Sequence, residues 1–220
     1  MISDVTIDPA TDDEIAATVK VMGGEDWMDW IKQMKEADVL EDDAVTLAYS
    51  YIGPEITHPM YFNGSIGRAK ADLYESAKKI TAATEGVKAY VSVNKALVTQ
   101  SSSAIPIVPL YISILYKVMK ENNCHEGCIE QMQRLFAEKL YDGAVKTDEQ
   151  GLIRMDDWEM REDIQAKVNE LWEKISDETL EDCTDIKGYQ SDFNEIFGFG
   201  VDGVDYDADV DISEGIESIE

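Results

Sequence analysis

AVTLAYSYIGPEITHPMYFNGSIGRAKADLYESAKKITAATEGVKAYVSV, residues 44–93, decides the fold. Its two ends, Ala44–Tyr51 and Val87–Val93, are rich in β-branched and aromatic residues and read as buried strands. Gly53-Pro54 stops the first strand, and an irregular segment leads to Tyr61. Asn63-Gly64 then signals a change of chain direction. Ser65 reads as the N-cap of a helix that runs to Thr84. Strand, helix and strand in that order argue an α/β fold with a parallel sheet.

Outward from this core the pattern is mostly helical. Thr11-Asp12-Asp13-Glu14 is a capping box that opens a helix stopping near Gly23-Gly24. Glu25–Ala37 reads as a second helix, with Trp27, Trp30, Ile31 and Met34 on one face at core spacing. Beyond the second strand, Asn94–Ser103 reads as a loop and Ile105–Glu121 as an apolar helix. Pro106 fits that helix's first turn, whereas Pro109 must sit early in it or bend it. Further helices are expected at Glu126–Leu140 and Asp156–Ser176. Two strands are too few for an independent open sheet, because mean sheets have about 5–6. The isolated chain is therefore expected to be unstable, to associate, or to need complementary strands.

The formal charge is −27 over 220 residues, and it is unevenly placed. Residues 47–141 hold 10 Lys/Arg against 8 Asp/Glu, so the acid lies in the flanks. Residues 201–220 have no lysine or arginine. Such a chain lacks the clustered cations that non-specific nucleic-acid binding needs. An anionic substrate would have to meet a local basic patch, for which Arg68, Lys70, Lys78, Lys79 and Lys95 are the candidates. No signal peptide or membrane span is read, and the expected setting is cytoplasmic. Cys124, Cys128 and Cys183 are an odd set that fits reduced thiols. Cys124-His125-x-x-Cys128 has too few soft ligands for a zinc site, and no metal is expected.

Tyr61 and Lys70, in YFNGSIGRAK, are the candidate catalytic pair. A phenol beside an ammonium is a proton-donor arrangement used by nicotinamide-dependent reductases, since a nearby cation favours phenolate. On one continuous helix nine positions turn about 900°, so the two would face opposite ways. They converge only if the backbone changes course at Asn63-Gly64.

TLAYSYIGPEITHPMYFNGSIGRAKADL, KAYVSVNKALVTQSSSAIPIVPLYISILYKVMKENNCHEGCIEQMQRLFAEKLY, RMDDWEMREDIQ and GFGVDGVDYDADV resemble the single-chain NADH-dependent trans-2-enoyl-CoA and enoyl-acyl-carrier-protein reductases. The resemblance implies an incomplete Rossmann-like, doubly wound parallel sheet with a helical C-terminal extension. Residues 1–141 would be the catalytic part, 142–201 a helical region and 202–220 an acidic tail. It implies reduction of the 2,3 double bond of an enoyl thioester by NADH in fatty acid synthesis. By the same resemblance Tyr61 is the oxyanion or proton donor and Lys70 holds the cofactor ribose. Leu97, Val98 and Thr99 would contact the nicotinamide, and Tyr51 the acyl substrate. Family members are about twice as long and begin with a nucleotide-binding half. Here no G-x-G-x-x-G follows a predicted strand, so a complementary N-terminal half is the implied partner. The alternative reading is a non-catalytic relic that binds acyl thioesters but cannot hold the dinucleotide alone.

Overall fold

The computed structural model of the chain describes residues 2–141 and 143–209. Three parallel strands form one sheet in the order β1-β2-β3: β1 is Ala44–Ser50, β2 Val87–Val93 and β3 Leu152–Arg154. β1 and β2 pair in register from Ala44↔Val87 to Ser50↔Val93. β2 and β3 pair from Val91↔Leu152 to Val93↔Arg154. β3 lies inside 142–201, which the sequence reading took as a helical region without a strand in it. Three residues are too few for a period-2 signal, and only pairing with β2 makes them a strand.

α1 (Asp12–Met22) and α2 (Glu25–Glu36) precede β1, and α3 (Ser65–Ala83) connects β1 to β2. The capping box at α1 is formed: Thr11 Oγ1 accepts from Glu14 N at 3.3 Å, and Glu14 Oε2 accepts from Thr11 N at 2.8 Å. At α3 the expected cap is displaced by one residue. Gly64 is the N-cap, and Ser65 is already the first helical residue.

α3 buries Ala69, Leu73, Ser76, Ala77 and Ile80. Leu73, Ala77 and Ile80 pack on Val87, Ala89, Val91 and Val93 of β2. Each fully buried Leu, Ile or Val in that layer contributes roughly 1.5–3 kcal/mol. Thr81 Oγ1, accepting from Ala89 N at 2.9 Å, pins the helix's end to the strand. α2 docks on the same layer through Ile31, and Trp27 Nε1 donates to Thr46 Oγ1 at 2.8 Å. Trp30, expected on the core face, is instead 56% exposed. The opposite sheet face packs Leu47, Tyr90 and Ile153 against Leu135 and Leu140. Those leucines lie on a π-helical turn, Leu135–Leu140, that extends α6 (Cys128–Arg134).

The second core is built around α5 (Val108–Glu121), entered through a four-residue α4 (Gln100–Ser103). α7 (Glu162–Trp172) and α9 (Ile186–Glu195) pack on it, with the short α8 (Leu180–Cys183) between them. α5 begins three residues later than expected. Ile107 adopts a left-handed conformation (φ 62°) there, a costly state for a β-branched residue. Pro109 thus falls in the first turn, where its missing N–H costs no helix bond.

β1 is an edge strand of the sheet, and Val45 and Tyr49, which flank Leu47 on the same face, are 41% and 51% exposed. Ile196, Phe197, Phe199 and Tyr206 are also exposed along the final described segment. The acidic tail expected over 202–220 extends beyond the described residues. Among the described residues, no helix is long and apolar enough to cross a membrane.

His125 gives the second core a pH-dependent element. Its ring meets Tyr116 edge-on at 4.3 Å, and its Nδ1 is buried without a hydrogen bond. Burial, and then Lys95 and Lys120, push its pKa down from 6.5 to about 4. The unfolded chain takes up a proton first as pH falls. This contribution to stability is therefore complete above pH 6.5 and is lost as pH falls through about 4. His125→Asn should flatten that part of a urea-unfolding stability curve; an unchanged slope between pH 6.5 and 4 would contradict it.

Candidate active site

The C-terminal ends of β1 and β2 lie side by side, and Asn94 N donating to the Ser50 carbonyl at 2.8 Å extends their pairing. Chains leaving this edge diverge, which opens a crevice there in parallel sheets. Tyr51, Tyr61, Lys95, Leu97, Thr99 and Ser102 are among the residues around a cavity of about 190 Å³ at this edge. Ile105, Val108 and Ile112 supply its apolar wall.

The turn after β1 is tight. Gly53 has φ +74°, and a Cβ there would lie 2.5 Å from both the Tyr51 hydroxyl and Thr57 Oγ1. Glu55–Thr57 forms a single 3-10 turn. His58, given no catalytic role from sequence, has Nε2 at 3.0 Å from the Gly53 carbonyl and holds this turn closed. Gly67 permits the next bend: a Cβ there would sit 1.8 Å from the Phe62 carbonyl oxygen. These close approaches bring Tyr61 and Lys70 to one sheet edge.

They occupy two neighbouring cavities with Tyr51 as the shared wall. Tyr61 lines the smaller one, its ring edge-on to Tyr51 at 5.1 Å. Lys70 lines a cavity of about 630 Å³ with Tyr51, Phe62, Arg68, Tyr74 and Arg154. Lys70 Nζ donates to the Tyr49 carbonyl at 3.3 Å. Burial, followed by Tyr74, pushes the Tyr61 phenol up to about 12. The downward pull that the sequence reading assigned to Lys70 is therefore not what dominates here. Burial lowers the Lys70 pKa.

The expected loop 94–103 contains α4. Thr99 caps that helix: Thr99 Oγ1 accepts from Ser102 N at 3.0 Å, leaving its hydroxyl proton as a donor. Ser102 Oγ donates to the Leu97 carbonyl at 3.0 Å. Leu97 and Thr99 line the smaller cavity. Val98 instead joins the core beneath.

Sequence reasoning missed a buried polar group behind this cavity. Glu159 is fully buried, and its Oε1 accepts from the Tyr111 hydroxyl at 2.6 Å and the Tyr51 hydroxyl at 3.2 Å. Glu159 Oε2 accepts from Ala96 N at 2.7 Å. Lys95, only 2% exposed, donates to the Ala96 carbonyl at 2.8 Å and is electrostatically coupled to Glu159. Burial lowers the Lys95 pKa and raises that of Glu159. In the sequence Glu159 is one of many acids in an acidic flank, and only its burial separates it from the rest.

Among the described residues, no group of three or more His, Cys, Asp or Glu side chains is arranged to hold a metal.

A family profile described as the trans-2-enoyl-CoA reductase catalytic region matches residues 1–141. A second, described as the enoyl reductase FAD binding domain, matches residues 147–210. A Cytophaga hutchinsonii protein named enoyl-(acyl-carrier-protein) reductase (NADH) is 58% identical over 99% of this chain and 56% of its own length. A Ruminiclostridium cellulolyticum protein named trans-2-enoyl-CoA reductase (NADH) is 55% identical over 100% of this chain and 56% of its own. The structure of a Clostridium acetobutulicum trans-2-enoyl-CoA reductase in complex with NADH superposes with a TM-score of 0.89. It is 48% identical, and the match covers 92% of this chain and 52% of that one. The chain spans about half the length of the curated relatives it matches.

The stretch matched by the second profile holds five Lys/Arg against twenty Asp/Glu. Arg154, Arg161, Lys167, Lys174 and Lys187 each already face a carboxylate. That donor set does not fit the pyrophosphate of a flavin dinucleotide.

Proposed function

Because the chain belongs to the trans-2-enoyl-CoA reductase family, we propose that it supplies the catalytic edge of a cytoplasmic reductase acting on trans-2-enoyl thioesters. The substrate class is an enoyl group on coenzyme A or acyl carrier protein, and the cofactor is NADH. The single observation carrying this reading is the cavity at the C-terminal ends of β1 and β2 that joins Tyr51, Tyr61, Leu97 and Thr99. Its apolar wall suits a flat ring and the start of an acyl chain. Bound NADH would supply the hydride to the β-carbon of the enoyl group.

The residues of this chain would do the rest. Negative charge builds on the thioester oxygen, and a donor aimed at it lowers the barrier most. Tyr61 is that donor, and its raised pKa keeps the phenol protonated at working pH. Lys70 would hold the nicotinamide ribose hydroxyls from the adjoining cavity, and Tyr51 stands between cofactor and acyl group. The Thr99 hydroxyl would meet the carboxamide, with Leu97 and Val98 backbone groups beside it.

We divide the chain into a catalytic part over 1–141, a C-terminal region over 142–201 and an acidic tail over 202–220. The outer strand β1 offers its free edge to further strands, and a complementary N-terminal nucleotide-binding half would pair there. The names of the relatives carrying this segment support the catalytic reading over the relic.

NADH oxidation with crotonyl-CoA tests the proposal, assayed on this polypeptide and on a full-length reductase carrying it. Absence of turnover in both would overturn it. Lys70→Met should raise the NADH dissociation constant about ten-fold or more, the effect of losing one charged hydrogen bond. An unchanged constant by calorimetry would remove Lys70 from the cofactor site.

A further inference from the structure

We propose that Glu159 is a positioning residue for the reaction site: its buried carboxylate holds the Tyr51 hydroxyl proton away from the cavity, so that the phenol oxygen faces an incoming ligand as a hydrogen-bond acceptor. The inference rests on the reductase reading above and assigns Tyr51 a task distinct from that of Tyr61.

Three donors converge on the two oxygens of Glu159. The Ala96 N–H takes Oε2, while the Tyr51 and Tyr111 hydroxyls take Oε1. The Ala96 N–H is backbone and cannot turn. The phenol protons can rotate, and the carboxylate decides which way they point. Tyr111 is held further by Gln165, whose Nε2 donates to its oxygen at 3.2 Å and to the Glu159 carbonyl at 2.8 Å. Lys95 supplies the compensating charge from within the same buried cluster. Thr57, whose own hydroxyl donates to the Pro54 carbonyl at 2.9 Å, flanks Tyr51 beside Gly53.

A Tyr51 oxygen whose proton is committed to Glu159 cannot donate to a thioester carbonyl. It can accept from an amide N–H, the group present on a nicotinamide carboxamide or on the pantetheine arm of a thioester. Tyr61 is thereby left as the donor to the oxyanion. Ala96 lies on the turn after β2, so the same carboxylate fixes both the cavity's floor and the polarity of its wall. Glu159 is contributed by the segment after β3, from outside the stretch that supplies Tyr51, Tyr61 and Lys70.

Glu159→Gln inverts this polarity with almost no change in shape. The amide oxygen must stay on the fixed Ala96 N–H, so the NH₂ replaces Oε1 and donates to the phenols. The Tyr51 proton then turns into the cavity. In a full-length reductase carrying this segment, Glu159→Gln should lower kcat/KM for NADH and crotonyl-CoA about ten- to hundred-fold. In a Tyr51→Phe background the same change should cost less than about three-fold, because the group it acts through is gone. Thioester dissociation constants measured by calorimetry should follow the same cycle without depending on turnover. Tyr111→Phe, which removes a donor but leaves the Tyr51 proton on Glu159, should cost less than Glu159→Gln.

Losses that multiply independently in the double variant, or a Tyr111→Phe loss as large as that of Glu159→Gln, would overturn the inference while leaving the reductase reading intact. If Glu159→Gln does not fold, Tyr51→Phe takes its place in the comparison: a Tyr111→Phe loss in thioester affinity as large as that of Tyr51→Phe overturns the inference, and a clearly smaller one supports it. A parent protein that neither turns over nor binds the thioester would refute both readings together.

Discussion

Tyr61→Phe is expected to reduce turnover of crotonyl-CoA by about 10²–10³-fold, the cost of removing one oxyanion donor. The substitution keeps the ring that meets Tyr51 edge-on at 5.1 Å, so packing at the cavity survives. The KM for the thioester should change much less than kcat, because the donor matters most once charge develops on the carbonyl oxygen. The raised pKa of the phenol adds a pH signature. With burial holding it at about 12, Tyr61 stays protonated through the neutral and mildly alkaline range. No loss of rate from its ionisation is expected between pH 7 and 10 in the free protein. Steady-state rates for both proteins across that range check the point. A Tyr61→Phe variant retaining a third or more of parental kcat would exclude the donor role.

Arg134→Met is expected to destabilise the fold by about 3–5 kcal/mol, the cost of stranding a buried charge. Arg134 and Glu126 side chains are 6% and 3% exposed and meet through two hydrogen bonds, Nε to Oε2 at 2.8 Å and Nη2 to Oε1 at 2.7 Å. The same guanidinium donates to Asp157 and to the Met155 carbonyl, both at 2.8 Å, and lies 4.1 Å from the Trp158 ring. It therefore ties α6 to the segment 155–159 that delivers Glu159 to the site. Removing it leaves the Glu126 carboxylate buried without its counter-charge. Adding Glu126→Met should recover more than half of the loss, because two well-packed apolar chains often match a buried ion pair. Urea unfolding of the parent, single and double variants reads both effects. A single-variant loss below about 1 kcal/mol would contradict the account.

The two long strands and the α3 helix could be read from residues 44–93 because each is encoded over a few adjacent positions. β-Branched runs and the Gly53-Pro54 and Asn63-Gly64 turn signals carry that information locally. β3 escaped because its three residues are a strand only through their partners in β2. The Ser65 cap was misplaced by one residue, since Gly64 and Ser65 are both acceptable at a helix start. α5 began late because Ile107 takes a left-handed conformation that a β-branched residue does not advertise.

The candidate site divides in the same way. The Tyr61–Lys70 pair could be found in sequence through its spacing about a turn and a family resemblance, yet the structure sets the two on either side of Tyr51. Burial, rather than a neighbouring ammonium, governs the Tyr61 phenol.

By itself the sequence determined the α/β character, because turn chemistry and periodicity act over short stretches of chain, and it offered Tyr61 and Lys70 as candidates through a family resemblance. Tertiary structure alone selected Glu159, Glu126 and Arg134 from the many charged residues, and it moved Lys95 from an expected basic patch into a buried cluster. Their importance comes from desolvation and from partners as far as 108 positions away, as with Tyr51 and Glu159. Packing creates that property, and no local pattern encodes it.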